Sequence, residues 1–274
     1  EYPSTAIGIN LPNADWIRAS HGSKSITIGN LTHAYNQAAR GNGFLDEYVI
    51  DDATRALILK YGDLCDDLHT DLHECLGHGS GQLLPGVSAD ALGAYGSTIE
   101  EARADLFGLY YSQYYTYLMN GLMTQLTRIK PGHEIEEAHM RNRALVARWT
   151  LANYPSALSL TQRDGKTYLQ VNDYELLRQA FATLLAEIQR IKSEGDFDGA
   201  RSMVEQYAIH VDSVLHEEML ERYAKLGIAP YKGFLNPHMT LEQSADGTIT
   251  DVRLDYSETY EHQMLRYSSE YGYL

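Results

Sequence analysis

Asp71-Leu72-His73-Glu74-Cys75-Leu76-Gly77-His78, followed 22 residues later by Glu100-Glu101-Ala102-Arg103-Ala104-Asp105, decides how this chain is read. In the common metal motif His-Glu-x-x-His the two imidazoles stand four residues apart, about 40° from each other on one helix face. Here one extra residue makes His73 to His78 a five-residue step, which on an ideal helix turns the second imidazole away by roughly 140°. Both rings can address one ion only if the helix is locally widened. Gly77 tolerates unusual backbone geometry, and π-bulges gather at functional sites, so the spacing predicts a distorted helix at this point.

A catalytic zinc takes three protein ligands and leaves a position for water, so two histidines need a third partner. Residues 97–119 read as a helix whose first turn holds Glu100 and Glu101, with Asp105 one turn on; Glu101 is the best-placed third ligand. Glu74, beside His73, is the natural base for the water. A plainer role stands next to this one, since Ser97-x-x-Glu100 and Thr98-x-x-Glu101 both have the form of a capping box. Arg103 reads as a salt-bridge partner that fixes the helix. His69 and His73 offer a rival metal pair, but no Glu follows His69. His133 and His139, six residues apart, face different sides of a helix. Arg143, one turn after His139, and Lys232 are candidates for a substrate carboxylate, with ordinary surface charge as the other reading. Ser80 does not complete Gly-x-Ser-x-Gly, because His78 occupies the first glycine's place, which argues against a serine hydrolase.

Through these motifs the sequence resembles the dipeptidyl peptidase III family, zinc exopeptidases that release dipeptides from the N-terminus of oligopeptides. The likeness extends to Ile9-Asn10-Leu11-Pro12-Asn13-Ala14-Asp15, Gly77-His78-Gly79-Ser80-Gly81 and Glu137-Ala138-His139-Met140. The resemblance implies one zinc per chain on His73, His78 and Glu101, with Glu74 activating water or polarising the scissile carbonyl. It also implies that Glu100 and Asp105 orient the two histidines, a support that ligand imidazoles generally need. By the same likeness His139 stabilises the transition state, and Asn10 and Asn13 hold the peptide backbone and its amino end. Ser25 departs from the pattern, standing where family members often carry another substrate-binding asparagine. The family's long N-terminal part, with a tyrosine for the oxyanion and an acidic group for the α-amino end, is absent from this sequence. The chain begins Glu1-Tyr2-Pro3-Ser4 without Met, so it is expected to be the catalytic, C-terminal portion of a longer protein whose N-terminal part is its partner. The family likeness implies a cytoplasmic location.

A second class of function competes: a non-catalytic, metal-stabilised module that binds peptides or a partner protein. The intact Glu74 favours catalysis, because a structural site needs no base.

Composition narrows the classes. At 274 residues and 44% hydrophobic the chain can bury a substantial core. A net charge of −15 with no Lys/Arg run argues against a nucleic-acid partner. No apolar stretch approaches the roughly 20 residues of a membrane span, so no membrane partner is expected. The two cysteines, Cys65 and Cys75, would be about 15 Å apart on one helix, too far for a disulfide, and free thiols fit a reducing compartment. Cys75 is expected to point toward the core as a small apolar side chain.

The pattern is mainly helical, over residues 51–61, 64–78, 97–119, 135–153, 172–191, 198–210 and 212–226, with Pro230 closing the run. Asn172 with Glu175 suggests a capping box for a helix whose stripe is Leu176, Ala180, Phe181, Leu184, Leu185 and Ile188. Asp164-Gly165 and Asp246-Gly247 predict hairpins, and residues 5–10 and 25–29 read as extended. The expected fold is α+β, mainly α with a smaller β portion. Residues 46–235 form a helical zinc-binding lobe, while 1–45 and 236–274 contribute strands to part of a β-rich lobe, the first strands meeting the last hairpin.

Overall fold

The computed structural model describes residues 8–12, 14–29, 32, 33, 36, 40–112, 115–228, 238–255 and 257–272. The fold is mainly α with small antiparallel sheets, as the sequence pattern predicts. The described residues up to Gly227 form one compact unit, and those from Ile228 onward form another.

In the first unit, β1 (Gly8–Leu11) is followed by α1 (Asp15–His21) and β2 (Lys24–Thr27), and the two strands pair antiparallel with Asn10 opposite Ser25. Short α2 (Phe44–Tyr48) leads into α3 (Asp52–Leu72), which merges with a π-helical turn over His73–His78. The widened turn expected from the five-residue histidine spacing is therefore present. The two segments predicted at 51–61 and 64–78 are one continuous helical run, started by the Asp51 side chain accepting the Thr54 N–H. Val49, just before α3, makes a parallel bridge to Leu169.

Then come α4 (Gly96–Ser112), α5 (Tyr115–Leu122), α6 (Ala138–Asn153), the hairpin β3 (Leu158–Arg163) and β4 (Lys166–Val171), α7 (Tyr174–Glu194), α8 (Phe197–Tyr207) and α9 (Ser213–Leu226). The single helix read over 97–119 is thus described as α4 and α5, on either side of two residues outside the described set. Asp164 and Gly165 both have positive φ, 52° and 73°, the geometry of a type I′ turn that matches strand twist. The start of α7 corrects one expectation: Asp173, not Asn172, accepts the Glu175 and Leu176 N–H groups. Its carboxylate stands one residue nearer those donors. The buried stripe is correspondingly Leu177, Ala180, Phe181, Leu184, Ile188 and Ile191, with Leu176 and Leu185 at its half-buried flanks.

α4 is the centre of this unit. It packs against α3, α6, α7 and the π-helical turn, and buries Ile99, Ala102, Ala104, Leu106 and Leu109 together with two charged residues, Arg103 and Asp105. Each large apolar side chain buried there contributes on the order of 1.5–3 kcal/mol relative to exposure. Close approach depends on glycine: a Cβ built on Gly77 would lie 2.6 Å from Ala104 Cα, and one on Gly108 would lie 2.5 Å from His69 Nδ1. Backbone against backbone at that crossing sets the distance from the histidine turn to the acids of α4.

The second unit contains the hairpin β5 (His238–Gln243) and β6 (Ile249–Asp255), turned at Asp246-Gly247, and α10 (Tyr260–Tyr271). Every residue of β5 and β6 is exposed. Among the described residues the strands form three two-stranded sheets, β1 with β2, β3 with β4 and β5 with β6. Pro230, Lys232 and Asn13 lie outside the described residues.

Candidate metal centre and active site

The π-helical turn brings His73 and His78 to one side, with ring centroids 4.6 Å apart and planes at 86°. Their outer nitrogens converge on α4. Glu101 Oε2 lies 3.4 Å from His73 Nε2, 3.6 Å from His78 Nε2 and 3.4 Å from His139 Nδ1. It is buried and has no hydrogen-bond partner. An unpaired carboxylate oxygen facing imidazole nitrogens fits ligands disposed around a cation, since two ligand atoms each about 2.0–2.1 Å from a tetrahedral ion stand about 3.3–3.5 Å apart. Donor atoms of His73, His78 and Glu101 all lie within 4.8 Å of one another, so this group is able to hold a metal ion.

The inner nitrogens are taken by carboxylates. His73 Nδ1 donates to Asp105 Oδ1 at 2.6 Å, and His78 Nδ1 donates to Glu100 Oε1 at 2.9 Å. An ionised carboxylate only accepts, so both Nδ1 atoms carry the proton and both Nε2 atoms are turned to Glu101. Glu100 also accepts from Arg103 at Oε1 and Oε2 and from Lys192 Nζ at 2.7 Å. Both of its oxygens are thus engaged, Oε1 by His78 and Arg103 and Oε2 by Arg103 and Lys192.

Arg103 is the salt-bridge residue expected, with a wider reach. Fully buried, it also donates to Gly77 O at 2.6 Å, while Arg18 donates to His78 O at 2.8 Å and Ser80 Oγ donates to Leu76 O. Carbonyls at the end of a helix lack intrahelical partners, and here two arginines from other helices and the serine just past the turn supply them.

The rival trio His69, His73 and Asp105 is also close-set. Its separations of 3.0 Å and 2.6 Å are direct hydrogen bonds to Asp105 Oδ1, too short to span an ion. His69 therefore belongs to the support of the site.

Electrostatics follow from this crowding. Burial alone would keep the His73 ring neutral, but the Asp105 and Glu101 carboxylates outweigh it and push its pKa up to about 10. Burial acts against ionised Glu101 as well, yet the flanking His73 and His78 hold it down to about 2. Asp105 is held well below the usual carboxylate range by His69 and His73, although burial acts against its charge. Glu74 goes the other way: burial raises its pKa.

Glu74 is 6% exposed, its Oε2 has no hydrogen-bond partner, and β1 runs so near that a Cβ on Gly8 would lie 2.7 Å from its Oε1. A cleft of about 1080 Å³ is lined by His73, Glu74, His78, Glu101, His139 and Asn10 among others. Asn10 Nδ2 donates to Ser25 Oγ at 2.8 Å and to Glu74 O at 3.1 Å, leaving its buried Oδ1 without a partner. His139, at the first turn of α6, is half-exposed and reaches Glu101. Arg143 is half-buried one turn further on α6 and is not among the described residues lining the cleft.

One expectation is corrected. Cys75 is exposed and not directed to the core. The widened turn puts Glu74 and Gly77 inward, which rotates Cys75 and Leu76 outward. Sequence reasoning also missed Tyr117, Asn142 and Lys192, all bonded to the supporting carboxylates. No local spacing relates them to the motifs, so only the helix packing reveals them.

The profile of peptidase family M49 matches residues 3–93. Human dipeptidyl peptidase 3 is 26% identical, the match covering 75% of this chain and 36% of that protein. The Nematostella vectensis dipeptidyl peptidase 3 is 24% identical, covering 89% of this chain and 40% of that one. The fold is similar to solved structures of dipeptidyl peptidase III from Caldithrix abyssi (TM-score 0.60, 24% identity, 79% of this chain and 42% of that one) and from Corallococcus sp. strain EGB (TM-score 0.62, 21% identity, 80% and 41%). The chain thus spans well under half the length of these relatives. The converging histidines and the acids of α4 agree with these likenesses, which relate the chain to the dipeptidyl peptidase III proteins of peptidase family M49.

Proposed function

We propose that this chain carries the catalytic centre of a zinc-dependent dipeptidyl peptidase that releases dipeptides from the N-terminus of oligopeptides. The observation that carries it is the unpaired Glu101 Oε2 facing His73 Nε2 and His78 Nε2 beside a buried, unpaired Glu74. His73, His78 and Glu101 would hold one zinc, with Glu100 and Asp105 orienting the rings. When bound, the ion supplies Lewis-acid polarisation of a carbonyl and lowers the pKa of water to about 7.

The chain's own residues do the rest. Glu74 takes the proton of the attacking water and returns it to the leaving amine; its raised pKa moves it toward the operating range of a general base. His139 donates to the oxyanion that develops on the carbonyl oxygen. Asn10 offers its free Oδ1 to a peptide N–H at the cleft wall. Asn13 and Arg143 are further proposed substrate contacts, Arg143 for a carboxylate. Residues 46–235 then belong to the helical lobe of the complete enzyme, and 1–45 and 236–274 to its β-rich lobe. A lone two-stranded hairpin is marginal in water, and exposed Met239, Leu241, Ile249, Val252 and Leu254 are consistent with further chain covering β5 and β6. The family likeness and the two free cysteines support a cytoplasmic location.

The test is product analysis. Zinc-loaded protein in its longest natural form, incubated with a hexapeptide, is expected to yield dipeptides by mass spectrometry. Release of single residues, or zinc binding without hydrolysis, would replace this proposal; the second result would favour a metal-stabilised binding module.

A further inference from the structure

We propose that Tyr117 and Asn142 are positioning residues of the metal centre: by donating to Asp105 Oδ2 they turn Oδ1 onto His73 Nδ1 and so aim His73 Nε2 at Glu101. The proposal rests on the metal-site reading above and extends it to two helices that contribute no ligand from these positions.

Asp105 is 6% exposed and receives four hydrogen bonds from the described residues. His73 Nδ1 and His69 Nε2 donate to Oδ1 at 2.6 and 3.0 Å, and the Tyr117 hydroxyl and Asn142 Nδ2 each donate to Oδ2 at 2.7 Å. The terminal torsion of an aspartate is broad and roughly two-fold, so nothing on α4 itself sets the plane of this carboxylate. Donors on opposite sides set it. Those on the far side come from α5 and α6, and both are buried, Tyr117 at 6% and Asn142 at 0% exposure. Removing either leaves an anionic oxygen under-paired away from water, and the carboxylate gains by turning toward its remaining donors. That rotation moves the acceptor of His73. The phenol is suited to its part, because burial and the neighbouring Asp105 charge push its pKa far up and keep it a donor.

Neither residue is among those lining the cleft, so their effect reaches the site through Asp105 and not through substrate. Asn142 also lies one turn after His139 on α6. The contact that sets His73 therefore also fixes the register of the helix presenting His139 to Glu101.

Cobalt(II) in place of zinc reads this geometry directly, through its visible absorption band and through competition with a chelator. Tyr117→Phe and Asn142→Leu are each expected to weaken cobalt affinity about three- to tenfold, below the 10- to 100-fold typical of a direct partner of a ligand, and to alter the band. Tyr115→Phe is the control. On the same helix it removes a buried hydroxyl that donates to Leu169 O at 2.8 Å, and is expected to lower the melting temperature while leaving affinity and band unchanged. The positioning role is overturned if Tyr117→Phe keeps the wild-type affinity and band, or if Tyr115→Phe changes them equally. Should Asn142→Leu not fold, Tyr117→Phe decides alone. A wild type that binds no cobalt, or a Glu101→Ala variant that binds it equally well, sinks the metal-site reading itself.

Discussion

Glu101 Oε2 stands 3.4 Å from His73 Nε2, buried and without a hydrogen-bond partner, across the interface between α4 and the π-helical turn. A buried anionic oxygen left in this state is costly unless a cation completes it. Replacing Glu101 by Ala is therefore expected to lower zinc affinity by more than about tenfold, the smallest loss typical even of residues that only support a ligand. Elemental analysis and chelator competition measure it; unchanged affinity would remove Glu101 from the ligand set.

Glu74→Gln separates chemistry from binding. The amide keeps the shape and loses the base, so zinc content should stay at the wild-type level while turnover of a dipeptidyl arylamide falls by about 10² to 10⁴. A variant with half the wild-type rate would show that another group accepts the proton.

Metal uptake should depend on pH with a defined sign. His73 binds metal as the neutral ring, but in the metal-free protein its pKa is raised to about 10, so a proton must leave. Zinc affinity is expected to rise about tenfold per pH unit for each proton displaced, between pH 6.5 and the raised value. The stability of the metal-free protein runs the other way. A histidine whose folded pKa exceeds its unfolded 6.5 contributes fully below 6.5 and loses its contribution as pH rises through about 10. Calorimetric zinc titrations across this range, in buffers of different ionisation enthalpy, count the protons. A flat affinity would contradict the Asp105–His73 pairing.

Gly77→Ala tests the crossing that sets the distance between turn and acids. Its Cβ would lie 2.6 Å from Ala104 Cα, a backbone contact that no side-chain rotation relieves. Overpacking of this kind costs about 1–3 kcal/mol, and here it should also weaken zinc binding by separating His78 from Glu100 and Glu101. Thermal melts with and without zinc measure both effects; a variant with wild-type values would mean that the helices separate at no cost.

This chain expressed alone should fold and hold zinc yet turn over peptides more slowly than its longest natural form, because positioning by remote contacts is part of the rate. Side-by-side assays on a tetrapeptide check it. Equal rates would show those contacts to be dispensable.

Elements governed by neighbouring residues are legible along the chain. The five-residue step from His73 to His78 demanded a widened turn, Asp164-Gly165 and Asp246-Gly247 marked hairpins through their tolerance of positive φ, and the acids Glu100, Glu101 and Asp105 fell at helical spacing on one element. Choices one residue apart were less legible: Asp173 and not Asn172 caps α7, since only the realised backbone decides which side chain reaches the open N–H groups. Tertiary structure alone decided that Cys75 faces outward, and that Tyr117 and Asn142 share Asp105 with His69 and His73. The reason is physical. Turn and helix geometry repeat along the chain over three or four residues, whereas a buried carboxylate takes its donors from whichever helices pack around it, and those partners carry no period in the sequence.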